Sequence, residues 1–395
     1  MSSILLFTFL RSGLYLRLNK EQRKGVMKKY GVDRLWSFSR VQCFVENCPW
    51  EYKARYIDHL DLNDENVYTI WGTVAHNLIE NLMTKKIKYE DMVDRFEQAM
   101  FTWETDVTKP RFDSEKIKIG YFGNLDEYFK NTQIPIGKDF KTEKPVLIRL
   151  GKDKQYVFVG YIDTEYVDEQ GNTVLIDYKT SSKSSFSKAK LPKKAMQLML
   201  YAIGKHQFSH IPYDKIKCRF DMMKYTTVHY RQENGKWADS VQERSKWVSK
   251  MAKKLLTKLK KHGIDEDKAN EMVQVASLNN DLSNMPQDIQ DQFQLNNYYI
   301  EIPITQEACE KVAAKVAEDC QQILDFEALD NDDQISWLEV NHPYNPDDYF
   351  ETHLCSYHTS DIFKQKEGNL MQDNTDEFAE MFADDDDAVV DDMFS

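Results

Sequence analysis

Two acidic residues and a lysine carry the clearest chemical signal in this chain: Asp163, which closes Gly160-Tyr161-Ile162-Asp163, and, fourteen positions later, Asp177 in Asp177-Tyr178-Lys179. In an extended strand, residues two apart share a face, so Asp177 and Lys179 project together while Tyr178 points the other way. Two carboxylates on paired strands beside one amine are what hydrolysis of a phosphodiester requires. The carboxylates hold Mg²⁺ or Mn²⁺, which polarises a phosphoryl oxygen and lowers the pKa of a bound water; the lysine positions that water or offsets transition-state charge. Taken singly, each of the three reads as an ordinary strand-end acid or surface amine. Asp177, however, follows the apolar run Val174-Leu175-Ile176, where a charge is costly unless it is paired or ligates a metal.

The elements that must position these groups follow from periodicity. A helical pattern runs from Ser37 to Tyr56, with Pro49 punctuating it, and a second helix from about Trp71 to Met83 places Val74, Leu78, Ile79 and Leu82 at helical spacing. More helix is expected through Phe101 and from Tyr121 to Phe129. The period then changes. Pro145–Leu150, Tyr156–Asp163 and Thr173–Thr180 are short and rich in β-branched and aromatic residues, and read as strands. The last two flank Asp168-Glu169-Gln170-Gly171-Asn172, a turn-forming segment that predicts a hairpin. A helix over Lys193–Lys205 and a strand near Ile216–Lys224 complete an α-β-β-β-α-β order. Beyond it come a basic amphipathic helix over Lys246–Lys261, a strand at Tyr298–Ile304, and a helix through about Leu329.

Further pieces, spanning about Trp36 to Lys205, resemble the RecB-like exonuclease group of the PD-(D/E)XK nuclease superfamily, which includes the AddB nuclease domain and CRISPR-associated relatives. Ser37-Phe38-Ser39-Arg40 with Cys48-Pro49, Tyr52-Lys53 and Arg55-Tyr56 looks like that group's opening helix. Gly72-Thr73-Val74-Ala75-His76 with Glu80 is similar to its Gly-x-x-x-His element, Asp163 with Asp177-Tyr178-Lys179 to its core motif, and Gln197-Leu198-Met199-Leu200-Tyr201 to its Gln-x-x-x-Tyr element. The resemblance implies an α/β fold, a central mixed sheet flanked by helices with a helical N-terminal region, and a metal-dependent DNA exonuclease of recombination, repair or phage DNA metabolism. It also implies that His76 and the Tyr178 carbonyl join Asp163 and Asp177 as metal ligands, and that Gln197 and Tyr201 contact the substrate strand. An imidazole in the set suits Mn²⁺ better than Mg²⁺. A nuclease fold without activity, serving as a DNA-binding or assembly subunit, and an endonuclease of the same fold are the alternatives.

Between Lys179 and Ala195 the chain offers Lys179, Lys183, Lys188, Lys190, Lys193 and Lys194 interleaved with serines and without an acid, a basic segment fit to grip phosphates. Several relatives of the group hold an iron–sulfur cluster with one early and three late cysteines. Cys48 stands at the early place, but Cys355-Ser356-Tyr357-His358 keeps one cysteine and puts histidine next, while Cys309 and Cys320 are wrongly spaced, which argues against a four-thiolate cluster. The six scattered cysteines read as reduced thiols of a cytoplasmic protein. There is no Walker-type loop for a helicase motor, so a separate helicase or a single-stranded-DNA-binding protein are the expected partners beside DNA itself. No membrane association is expected, since the apolar Ile4–Leu10 stretch is too short to span a bilayer.

The net charge of −13 over 395 residues is unusual for a nucleic-acid enzyme until its distribution is read. Residues 373–395 hold ten acids and no Lys or Arg, and without them the remainder carries only −3. A near-neutral body can present a basic face. The domain reading is therefore an N-terminal extension over 1–26, with Met27 an alternative start, a nuclease domain over 27–365, and an acidic disordered tail over 366–395. Such a tail can occupy a basic groove in place of DNA, so its deletion is expected to tighten DNA binding most at low salt.

Overall fold

In the computed structural model, residues 17–62 and 65–365 are described; the acidic tail and the first part of the N-terminal extension lie outside them. Two compact units partition the chain, one comprising residues up to Phe38 with Glu65–Glu318, the other Ser39–Asp64 with Asp319 onward.

The first unit opens with helix α1 (Lys20–Tyr30), begun by an Asn19–Gln22 capping box and ended by Gly31 at φ 64°. Helix α2 (Val67–Met83) starts earlier than its apolar stripe suggests, because the Asn66 side chain accepts from the Tyr68 and Thr69 amides and fixes the first turn upstream. It buries Trp71, Val74, Ala75, Leu78, Ile79 and Leu82. Helices α3 (Met92–Thr105) and α4 (Glu115–Asn131) complete a helical layer. Phe96, Trp103 and Phe122 close around Trp71, with Phe129 against Phe96, each contributing about 1.5–3 kcal/mol of burial.

The sheet follows: β1 (Lys138–Leu150), β2 (Tyr156–Val167) and β3 (Thr173–Lys179) form an antiparallel meander. The β2–β3 hairpin turns on Asp168, whose Oδ1 accepts from the Gln170 and Asn172 amides, with Gly171 at φ 78°. Helix α5 (Leu191–Ser209) then crosses over to β4 (Ile216–Arg231), which pairs parallel to β3, making the sheet mixed. Strand β5 (Trp237–Glu243) pairs with the far half of β4, and β6 (Phe293–Ile302) lies along its other side, so the order is β1-β2-β3-β4-β5 with β6 added on β4.

β3 is central and buried along nearly its whole length. Val174, Ile176 and Tyr178 face the α2–α4 layer. The alternate residues face α5, which approaches closely because Gly204 leaves no room for a side chain: a Cβ there would stand 2.5 Å from the Leu147 carbonyl. Helices α6 (Trp247–Lys261) and α7 (Glu266–Asn279) pack together beside β6. The helix Gln306–Glu327 carries the chain into the second unit.

In that second unit the helical pattern from Ser37 to Tyr56 resolves into short pieces. Wide turns at Cys43–Asn47 and Lys53–Ile57, where Cys48 N–H donates to the Cys43 carbonyl and Asp58 N–H to that of Lys53, flank Pro49–Tyr52. Proline has no amide proton to continue the ladder, and Cys48 before it is extended at φ −149°. Tyr52 and Arg40 both meet Glu327, and Phe44 lies against Phe326 and Trp337. No helix among the described residues is long and apolar enough to cross a membrane.

Candidate active site

The β2–β3 ladder ends at Thr164–Ile176, one residue before Asp163 on one strand and Asp177 on the other. Past that point the Tyr178 amide is taken by a side chain: it donates to Asp163 Oδ2 at 3.0 Å. The two acids thus stand where the strands part, and backbone pairing fixes the residues just behind them. Asp177 is 4% exposed; its Oδ1 lies 2.6 Å from Lys179 Nζ, whereas its Oδ2 is buried with no hydrogen bond. Lys179 extends along the same face as Asp177, with its ammonium 5.7 Å from the centre of the Phe220 ring.

His76 reaches this strand end from α2. Its Nε2–H donates to the Tyr178 carbonyl at 2.8 Å, and its Nδ1 stands 3.5 Å from Asp163 Oδ2. Gly72, one turn earlier, faces the residue after Lys179, and a Cβ there would stand at an ordinary contact distance of 3.7 Å from Thr180 Oγ1. Burial, with the neighbouring Asp177 charge adding to it, pushes the Asp163 carboxyl up to about 6 against the opposing pull of His76 and Lys179. Burial draws the Lys179 ammonium down, but the Asp177 and Asp163 carboxylates outweigh it and hold it above the usual lysine range. Lys179 is therefore a cation across the physiological range, and the carboxylates compete for a limited supply of positive charge.

Gln197 and Tyr201 lie one turn apart on α5, and Gln197 Nε2 donates to the Tyr201 hydroxyl at 2.8 Å. Tyr201 is buried, its ring seated over Gly160, where a Cβ would come within 2.3 Å of Tyr201 Cε1. Gln197 is half-buried; Tyr201 holds it in place more than it faces outward itself. Lys183, Lys188, Lys190 and Lys193 are all exposed. The segment carrying them is folded into turns rather than loose: Phe186 is buried against Phe220, and the Lys183 amide donates to the Tyr225 hydroxyl.

Asp221 is one of the buried acids that the sequence pattern did not single out. Asp221 on β4 is aligned with Tyr178 and 1% exposed, on the sheet face away from Lys179; its Oδ2 accepts from the Tyr128 hydroxyl at 3.0 Å and from Asn297 at 3.4 Å, while Oδ1 is unbonded. Burial pushes it up to about 6 despite Arg244 and Arg219 nearby. The signal that singled out Asp177, an acid inside an apolar strand, is also present in Phe220-Asp221-Met222-Met223.

A cavity of about 770 Å³ lies elsewhere in the first unit, between the β4–β5 turn and α6, and none of the acids above lines it; Arg231, Lys253, Lys254, Lys258 and Lys261 do.

A mixed sheet with helices on both faces and an Asp…Asp-x-Lys pair at the parting of two strands defines a class of nuclease. The family model of the PD-(D/E)XK nuclease superfamily matches residues 35–333, and the chain belongs to that superfamily. No curated protein matches the chain. Members of the superfamily are typically dependent on a divalent metal, and the donors here are of a kind that suits one: the Asp163 carboxylate and the Tyr178 carbonyl both meet His76, and Asp177, one residue before Tyr178, keeps a buried carboxylate oxygen without a partner.

Proposed function

We propose that this chain is a DNA exonuclease of the RecB-like group, dependent on Mg²⁺ or Mn²⁺ and acting in recombination, repair or phage DNA metabolism. The observation that carries the reading is Asp177 Oδ2, a buried carboxylate oxygen without a hydrogen bond at the place where the strands bearing Asp163 and Asp177 separate. Such an oxygen is costly unless a cation completes it.

Asp163, Asp177, the Tyr178 carbonyl and His76 would hold the cation. When bound, it supplies Lewis acidity toward the phosphoryl oxygen and the attacking water. Lys179, paired with Asp177, places a positive charge beside the phosphate as negative charge builds there. The Tyr178 amide keeps Asp163 oriented, so its second oxygen stays free to ligate. Gln197, braced by Tyr201, and the exposed lysines Lys183, Lys188, Lys190 and Lys193 contact the strand, the lysines through phosphates and so without sequence preference. The Gln197–Tyr201 pair on α5 supports the RecB-like assignment.

End-labelled linear DNA incubated with the protein and Mn²⁺ or Mg²⁺, beside an EDTA control, tests the reading. Metal-dependent release of label from linear but not covalently closed circular DNA is expected. Cutting of circles makes the enzyme an endonuclease, and no metal-dependent product in either refutes the catalytic assignment.

A further inference from the structure

In the second unit three soft donors meet away from any described charge network that would explain them. The ligand atoms of Cys48, Cys355 and His358 lie within 4.8 Å of one another, and all three residues are buried. His358 is 5% exposed and neither ring nitrogen makes a hydrogen bond; Glu351 stands 3.8 Å from Nδ1. An imidazole with both nitrogens buried and unbonded is costly, and two thiols directed at the same point offer it only weak partners.

We propose that Cys48, Cys355 and His358 bind one structural Zn²⁺. Two thiolates and an imidazole are a zinc donor set, and they are poor ligands for Mg²⁺ or Ca²⁺, which take oxygen. A four-thiolate cluster is not available, because the third donor is nitrogen and no further cysteine sulfur among the described residues joins the group, the Cys43 thiol donating to the Cys48 carbonyl instead. The fourth position of the tetrahedron falls to an oxygen, from water or from Glu51. The Glu51 carboxylate is held alongside by the Ser356 amide at 3.0 Å, while its own amide donates to Cys48 Sγ at 3.3 Å.

The reason for a metal here is the size of the local core. Cys48, Ala54, Leu62, Cys355, Tyr357 and Phe363 form a small cluster built from two segments far apart in the chain, capped by Trp50 stacked on Tyr357. Closing so long a loop on so few apolar groups gains from a cross-link, and zinc binding converts directly into folding free energy. The ion is inferred to be structural, because its donors are buried.

The test uses the full chain, purified without added metal, dialysed against EDTA to empty the oxygen-rich set at Asp163 and Asp177, and assayed by elemental analysis. One zinc per chain is expected, retained in the Asp163→Ala/Asp177→Ala variant and lost in Cys355→Ser and in His358→Ala. Should those variants fail to fold, the wild-type protein still decides: an organomercurial must release the zinc, and Co²⁺ exchanged into the site must show thiolate-to-cobalt charge transfer with the intense visible bands of tetrahedral coordination. Zinc that survives Cys355→Ser overturns the proposal. So do a wild-type protein without zinc and without a cobalt–thiolate band, a brown iron-containing protein, and a Cys48–Cys355 disulfide in a non-reduced peptide map.

Discussion

Lys179→Met keeps most of the side-chain stem and removes the charge, which allows metal binding and chemistry to be read separately. In the structure Lys179 Nζ is 2.6 Å from Asp177 Oδ1, and the Asp177 side chain is only 6% exposed with its other oxygen already unbonded. Without the ammonium, a buried carboxylate loses its charged partner, at a cost of about 1–3 kcal/mol. For a folded unit of this size each kcal/mol lowers Tm by roughly 2–4 °C, so a loss near the middle of that range lowers the metal-free Tm by roughly 4–8 °C. A divalent cation on the same carboxylate substitutes for the missing charge, so saturating Mn²⁺ should raise the Tm of the variant more than that of the wild type. Cleavage should behave oppositely, falling by about 10²–10³ even at saturating Mn²⁺, the usual consequence of removing one pre-placed charge from a transition state. Thermal melts in EDTA and in Mn²⁺, paired with cleavage of end-labelled DNA, measure both. Cleavage within a few-fold of wild type, or a Mn²⁺-induced rise no larger than that of wild type, would show that Lys179 does not share Asp177 with the cation as described.

Gly160→Ala drives a methyl group into the Tyr201 ring, 2.3 Å from Cε1; overpacking of this kind costs about 1–3 kcal/mol, calorimetry should register it, and Tyr201→Leu in the same chain should recover part. Lys205 and Glu165 form a bidentate pair at 2.7 and 2.8 Å, both 5% exposed; Lys205→Met should destabilise by about 3–5 kcal/mol in urea, and Lys205→Met/Glu165→Leu by less, because the second change removes the stranded charge. Asp221 predicts a pH dependence of stability. Its folded carboxyl titrates at about 6 rather than 3.8, so the folded state holds the proton more tightly. Its contribution is greatest below pH 4 and is lost as pH rises to about 6, by at most about 3 kcal/mol. Asp221→Asn should flatten that part of the stability profile, and an unchanged slope between pH 4 and 6 would assign it to another group.

The strands and helices that carry the proposed site were legible because each carries apolar residues at its own period, with β3 buried along nearly its whole length. What escaped had weaker patterns for identifiable reasons. The first half of β1, from Lys138 to Lys144, is charged and buries only Thr142, and joins the sheet through a register shift that breaks its alternation. β5 has no buried residue and is held by backbone pairing with β4, which leaves no hydrophobic trace. α7 buries only Ala269, Val273 and Ala276, too small to mark a stripe. At the site itself, Asp177 and Lys179 were readable from strand parity alone. The contacts of His76 with Tyr178 and Asp163 join residues far apart in sequence; family resemblance could anticipate that meeting, whereas periodicity could not. The same distance separates His358 from Cys48, which resemblance likewise sets at corresponding ligand places and periodicity could not.

The position of β3 also governs when such an enzyme becomes armed. The helix bearing His76 is synthesised first, then Asp163, then Asp177 and Lys179, while β4, which pairs along β3 from Thr173 to Lys179, follows only after α5. A growing chain thus carries every proposed ligand before it carries the strand that completes the bed for two of them. The proposed site therefore rests on an incomplete sheet until β4 has joined β3. Chains ending before Ile216 should accordingly release no label from end-labelled DNA, although no proposed ligand is missing.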